Sequence, residues 1–100
     1  MNTQTIDEKT KAKLIAVLKA LFPEAKIYLY GSYAKGEARP YSDIDLALDA
    51  GERITGGRID EAKSMLRESN IFYSIDLVDV WGIPQHMRDE IKKEWILWKD

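Results

Sequence analysis

Gly31-Ser32-Tyr33-Ala34-Lys35-Gly36 and, shortly after it, Ser42-Asp43-Ile44-Asp45-Leu46 pair two chemistries that depend on each other. The first segment is a small-residue turn. Gly31 lacks a Cβ and has a free φ, so backbone N–H groups there can approach an anion closely, and Ser32 adds a hydroxyl donor. The second segment holds two carboxylates, Asp43 and Asp45, two positions apart in an apolar stretch; in a strand such residues project from one face. Paired oxygen ligands suit Mg²⁺, which takes one or two carboxylates together with substrate phosphates and keeps several waters. The combination implies metal-assisted chemistry on a nucleoside triphosphate.

The elements around these segments must hold them in place. Thr5-Ile6-Asp7-Glu8 reads as a capping box, with Thr5 at the N-cap and Glu8 at N3. The helix it starts carries Leu14, Ile15, Val17, Leu18, Leu21 and Phe22 on one stripe and ends at Pro23. Lys26–Tyr30 reads as a strand and 31–41 as a loop. In a second strand, Asp43–Asp49, Ile44, Leu46 and Leu48 share one face, which must be buried. Register therefore turns Asp43, Asp45 and Ala47 the other way. A helix over Arg58–Ser69, a third strand over Ile71–Val80 and a last helix from Pro84 to Trp98 complete the reading. The inward stripe of that last helix is Ile83, Met87, Ile91, Trp95 and Trp98.

A third carboxylate would help polarise an attacking hydroxyl, and the third strand offers Asp76 and Asp79. If Ile75 and Leu77 pack inward, parity turns Asp76 to the face of Asp43 and Asp45, while Asp79 points to the core side. Asp76 is the favoured third carboxylate and Asp79 the fallback.

Composition bounds the function. One hundred residues, 45% apolar and 32% charged, make a single domain over 1–100. The net charge of −2 and scattered basic residues argue against direct nucleic-acid binding. No apolar run approaches the ~20 residues of a membrane helix. Without cysteine, any metal must sit on oxygen or on His86, and His86 reads as a surface residue. A cytoplasmic protein is expected.

Gly31-Ser32, Ser42-Asp43-Ile44-Asp45-Leu46 and Ile75-Asp76-Leu77-Val78 together resemble the minimal nucleotidyltransferase family of the DNA polymerase β-like superfamily. The signature there is a Gly-Ser loop, a Ser/Thr-Asp-x-Asp strand and a later strand with a third acid. The resemblance covers about Lys26 to Trp98. It implies an α/β (α+β) fold, a small mixed sheet of about three strands against three to four helices. It also implies two Mg²⁺ ions and transfer of AMP from ATP to a hydroxyl, with pyrophosphate released. Carried over, Asp43, Asp45 and Asp76 are the metal-binding and catalytic residues. Gly31, Ser32, Lys35, Arg39 and Ser42 are nucleotide-binding, with Lys35 standing where the family commonly has arginine and so lacking the bidentate fork.

Free-standing members of this size resemble the antitoxin half of a toxin–antitoxin pair, which adenylylates a tyrosine of an all-helical HEPN-domain toxin. A small chain leaves little room for both nucleotide and acceptor, so a partner is expected to complete the site. Trp81, Trp95, Trp98 and Tyr73 are candidate docking aromatics. The alternatives are neutralisation of the partner by occlusion, without catalysis, and transfer to a small molecule.

Overall fold

Leu14, Leu18 and Phe22 recur every four residues and put one apolar stripe along helix α1 (Glu8–Leu21) and onto its C-cap, Phe22, and all three are fully buried. The computed structural model, which describes residues 4–100, continues through β1 (Lys26–Tyr30), α2 (Gly31–Lys35), β2 (Ile44–Asp49) and α3 (Arg58–Arg67). It ends with β3 (Ile75–Asp79), a 3₁₀ turn at Val80–Gly82, α4 (Gln85–Lys92) and β4 (Ile96–Lys99). The expected domain span of 1–100 thus begins in residues 1–3, outside the described residues.

The sheet is mixed and four-stranded, in the order β3-β2-β1-β4. β1 is antiparallel to both β2 and β4, and β2 is parallel to β3. Ile27, Leu29, Ile44, Leu46, Leu48 and Leu77 line one face and join Leu14 and Leu18 of α1, Phe22 at its C-cap and Ala62 and Leu66 of α3 in one core. The opposite face carries Tyr28, Tyr30, Asp45, Ala47, Asp49, Asp76 and Val78. One end of it is closed: Trp95 stacks on Tyr28 at 3.5 Å between ring centroids, and Trp81 donates its indole N–H to Asp49 at 2.7 Å. The other end holds Tyr30, Asp45 and Asp76. Among the described residues no helix is long and apolar enough to cross a membrane.

Several sequence expectations are corrected. The N-cap of α1 is Asp7, whose carboxylate accepts the Thr10 N–H at 2.7 Å, and not Thr5. An anionic cap also meets the positive end of the helix dipole. The segment read as a loop from Gly31 begins with a helical turn, because its interior residues tolerate αR and its end, Gly36, closes it in the left-handed region. β2 begins at Ile44 rather than Asp43, and α3 ends at Arg67 rather than Ser69. β3 begins at Ile75 rather than Ile71, since its first partner on β2 is Ile44. The last helix stops at Lys92, and the segment assigned to its final turns forms β4 on the free edge of β1. No residue of α4 is buried, and Met87 is 46% exposed, so the stripe Ile83, Met87, Ile91, Trp95, Trp98 does not exist as a helical face.

Candidate functional site

Register across three strands assembles the site. Tyr30 pairs with Asp45 between β1 and β2, and Asp45 pairs with Asp76 between β2 and β3. Cross-strand neighbours on one face stand about 5 Å apart, so the three side chains form one row. Asp43 precedes β2 by one residue, with the parity of Asp45, and is exposed.

The row is electrostatically strained. Burial, then the charge of Asp76, then that of Asp43 push the Asp45 carboxyl up to about 6. Carboxylates held together without a cation disfavour ionisation in this way. Tyr30 donates its hydroxyl to Oδ2 of Asp76 at 3.3 Å. Burial and the nearby Asp76 and Asp45 raise its phenol well above the usual range, so it stays a donor. Among the described residues no three His, Asp or Glu side chains form a ready-made metal cage. The donor chemistry nevertheless fits a hard divalent cation: the donors are all carboxylate oxygens, and a cation would relieve the crowding that raises Asp45.

Gly31 abuts this row. Its φ is +73°, and a Cβ added there would collide with Oδ2 of Asp45, so both backbone conformation and space exclude a side chain. No side chain caps the first turn of α2, which leaves the backbone donors there for other acceptors. Ser32 is partly exposed, and among the described residues its hydroxyl has no hydrogen-bond partner. Lys35 sits at the rim of a cleft of about 270 Å³ between α2 and α4, bordered also by Tyr30, Gly31, Glu90 and Glu94. Its ammonium is 3.9 Å from the Glu94 carboxylate, and both side chains are about half exposed, so the pair is weak.

Two candidates hold the loop as well. The Arg39 N–H donates to the Ser42 hydroxyl at 2.8 Å, and the Ser42 N–H donates to the Arg39 carbonyl at 3.0 Å. This clasp sets the entry to β2, while the Arg39 side chain stays exposed. Asp79, the fallback carboxylate, lies away from the row. It is 7% exposed and accepts the N–H groups of Ile54 (2.7 Å) and Trp81 (3.0 Å), bracing two loops.

Sequence reasoning placed Tyr30 with Tyr28, Tyr33 and Tyr41 around the loop, one of them a candidate to stack on a base, but did not foresee its hydrogen bond to Asp76. The candidate docking aromatics are largely engaged in packing. Trp95 covers Tyr28, Trp98 packs on the core under Lys11, and Tyr73 meets Tyr33 edge-on. Trp81 lies under the guanidinium of Arg88, 4.4 Å from the ring centre. Trp81 keeps 36% of its surface exposed, and the most exposed aromatics are Tyr41 (86%) and Phe72 (100%), on loops bordering a groove of about 570 Å³. His86 is exposed, as expected.

Comparison with known proteins bears on the family and the fold. The family described as polymerase beta, nucleotidyltransferase, matches residues 12–100. A Haemophilus influenzae protein named "probable protein adenylyltransferase MntA" is 31% identical over 81 residues, 81% of this chain and 71% of the relative. A crystal structure described as a toxin–antitoxin with AMP-PNP superposes with a TM-score of 0.76 at 27% identity, covering 88% of this chain and 71% of that one. The fold is shared, at TM-score 0.72 and 23% identity over 93% of this chain and 71% of the other, with a structure of a tri-AMPylated Shewanella oneidensis HEPN toxin in complex with MNT antitoxin.

Proposed function

The chain belongs to the polymerase beta nucleotidyltransferase family, and from that membership we propose that it is a Mg²⁺-dependent protein adenylyltransferase. It moves AMP from ATP to a tyrosine hydroxyl of a HEPN-domain toxin and thereby acts as its antitoxin, as one minimal domain over residues 1–100 in the cytoplasm. The observation that carries the reading is the in-register pair Asp45–Asp76 on the open face of the sheet, with Gly31 packed against Asp45.

Asp43, Asp45 and Asp76 would hold the metal, as two ions by the family pattern. Bound there, divalent cations neutralise charge developing on the attacking and leaving oxygens of an in-line displacement. The chain's own groups do the rest. Backbone N–H groups at Gly31 and Ser32, with the Ser32 hydroxyl, receive the triphosphate, and Lys35 supplies a positive charge at the cleft rim. Arg39 is a second phosphate cation, and Ser42 fixes the turn that presents Asp43. Tyr30 keeps Asp76 aimed along the row. The acceptor oxygen bonds to the α-phosphorus, and the bond from that phosphorus to the oxygen bridging to the β-phosphate breaks. Pyrophosphate leaves with the electron pair, and the hydroxyl proton passes to solvent by way of Asp76.

The test is incubation of the chain with its toxin partner, Mg²⁺ and ATP labelled at the α-phosphate. Label should appear on the toxin and vanish with Asp43→Asn and Asp45→Asn. Retained labelling in those variants refutes the site. A second reading, neutralisation by occlusion, draws on the exposure of Tyr41 and Phe72 on a groove that Ser42 also lines; it predicts that the same variants still silence the toxin.

A further inference from the structure

β3 is an edge strand of the sheet, and a groove of about 480 Å³ wraps that edge from α3 to Asp76. One wall is a single stripe of α3, Lys63, Leu66 and Arg67, at the i, i+3, i+4 spacing that puts residues on one face. Ile71 and Ile75 add apolar surface to a lining that is otherwise mainly polar. α3 carries its acids, Asp60 and Glu61, in the first turn, and Arg67 in the last. Among the described residues neither Lys63 nor Arg67 forms an ion pair; Arg67 only donates to the Ser64 hydroxyl at 3.1 Å. The groove thus has two uncompensated cations along its length and a proposed catalytic carboxylate at its mouth.

The strand adds backbone donors and acceptors. The Ile44 N–H donates to the Ser74 carbonyl at 2.8 Å, so Ser74 and Asp76 turn their backbone groups to β2. By alternation Ile75 turns its N–H and C=O to the free edge. The edge is open only here, because Leu77, the next residue facing outward along it, is 1% exposed.

We propose that this groove receives an acidic segment of the acceptor protein adjoining the modified hydroxyl, its carboxylates meeting Lys63 and Arg67 while the hydroxyl reaches Asp76. The inference rests on the transferase reading above and adds the sequence context of the acceptor. Charge complementarity selects the occupant: a neutral or basic segment would leave both cations unpaired beside it.

The probes are two synthetic peptides, one with a tyrosine flanked by glutamates and one with the same tyrosine flanked by lysines. Each is incubated with the full chain, Mg²⁺ and α-labelled ATP. The acidic peptide should be labelled with a kcat/KM roughly tenfold higher, two partly exposed pairs contributing a little under 1 kcal/mol each. Lys63→Glu with Arg67→Glu should abolish or invert that preference, with Mg²⁺-dependent ATP binding, read by calorimetry, unchanged. High salt should shrink the preference of the unaltered protein, a readout that needs no variant to fold. Equal labelling of the two peptides, a preference that survives charge reversal, or labelling of neither while ATP still binds overturns the groove assignment and leaves the transferase reading standing. Failure to bind ATP with Mg²⁺ removes the transferase reading itself, and the groove assignment with it.

Discussion

Replacing Asp45 by asparagine should stabilise the metal-free protein while abolishing transfer. In the folded chain burial, Asp76 and Asp43 hold the Asp45 carboxyl at about 6, against an ordinary value of 3.8. Taken whole, that gap corresponds to roughly 3 kcal/mol. Asp45 is only partly buried, so water screens much of it, and about 1 kcal/mol of destabilisation is left for the ionised form. Among the described residues no hydrogen bond to the Asp45 side chain exists for the substitution to break.

The sign follows from linkage. The folded state binds a proton on Asp45 below about pH 6, whereas the unfolded chain does so only near 3.8. Stability lost to the charge above pH 6 is therefore regained as pH falls toward 4. In thermal unfolding with EDTA at pH 7.5, Asp45→Asn should melt about 4–8 °C above the parent, and the gap should close near pH 4. Adding Mg²⁺ should raise the parent melting temperature and leave the variant almost unmoved. A variant less stable than the parent at pH 7.5, or a gap persisting at pH 4, refutes the argument that crowded carboxylates strain the row.

Gly31→Ala places a methyl against Oδ2 of Asp45 at a φ of +73°. It should cost about 1–3 kcal/mol in chemical denaturation and remove detectable transfer even in the folded fraction. Asp79→Ala orphans the N–H groups of Ile54 and Trp81. It should destabilise by about 2–4 kcal/mol while leaving transfer per folded molecule near the parent rate, and complete inactivation of folded protein would mean that Asp79 belongs to the site. Trp95→Ala uncovers Tyr28 and should destabilise by about 3 kcal/mol, measured by urea unfolding.

The part of the site lying in β2 and β3 was legible because strand parity is a two-state choice. Once Ile44, Leu46 and Leu48 must be inside, Asp45 has one direction left, and Ile75 with Leu77 settles Asp76 against Asp79 in the same way. The parallel register that sets Asp45 beside Asp76 was not legible. It depends on pairing between segments far apart in sequence, which no local pattern encodes. The hydrogen bond of Tyr30 escaped for a related reason: its partner Asp76 lies two strands away.

The C-terminal error has a different origin and bears on function. From Met87 onward the chain shows apolar residues at helical spacing, and Ile91, Trp95 and Trp98 continue it. A strand over Ile96–Lys99 has only four residues to advertise alternation. What decided the outcome was outside the segment, in the unpaired edge of β1, whose backbone groups a strand satisfies and a helix does not. Ending α4 early also puts Trp95 on the reverse face, over Tyr28, and Trp98 on the core face. A helix continued to Trp98 would leave the Tyr28 end of the reverse face uncovered. The four-strand sheet thus closes one end of that face with aromatics and leaves the carboxylates at the other end uncovered by them.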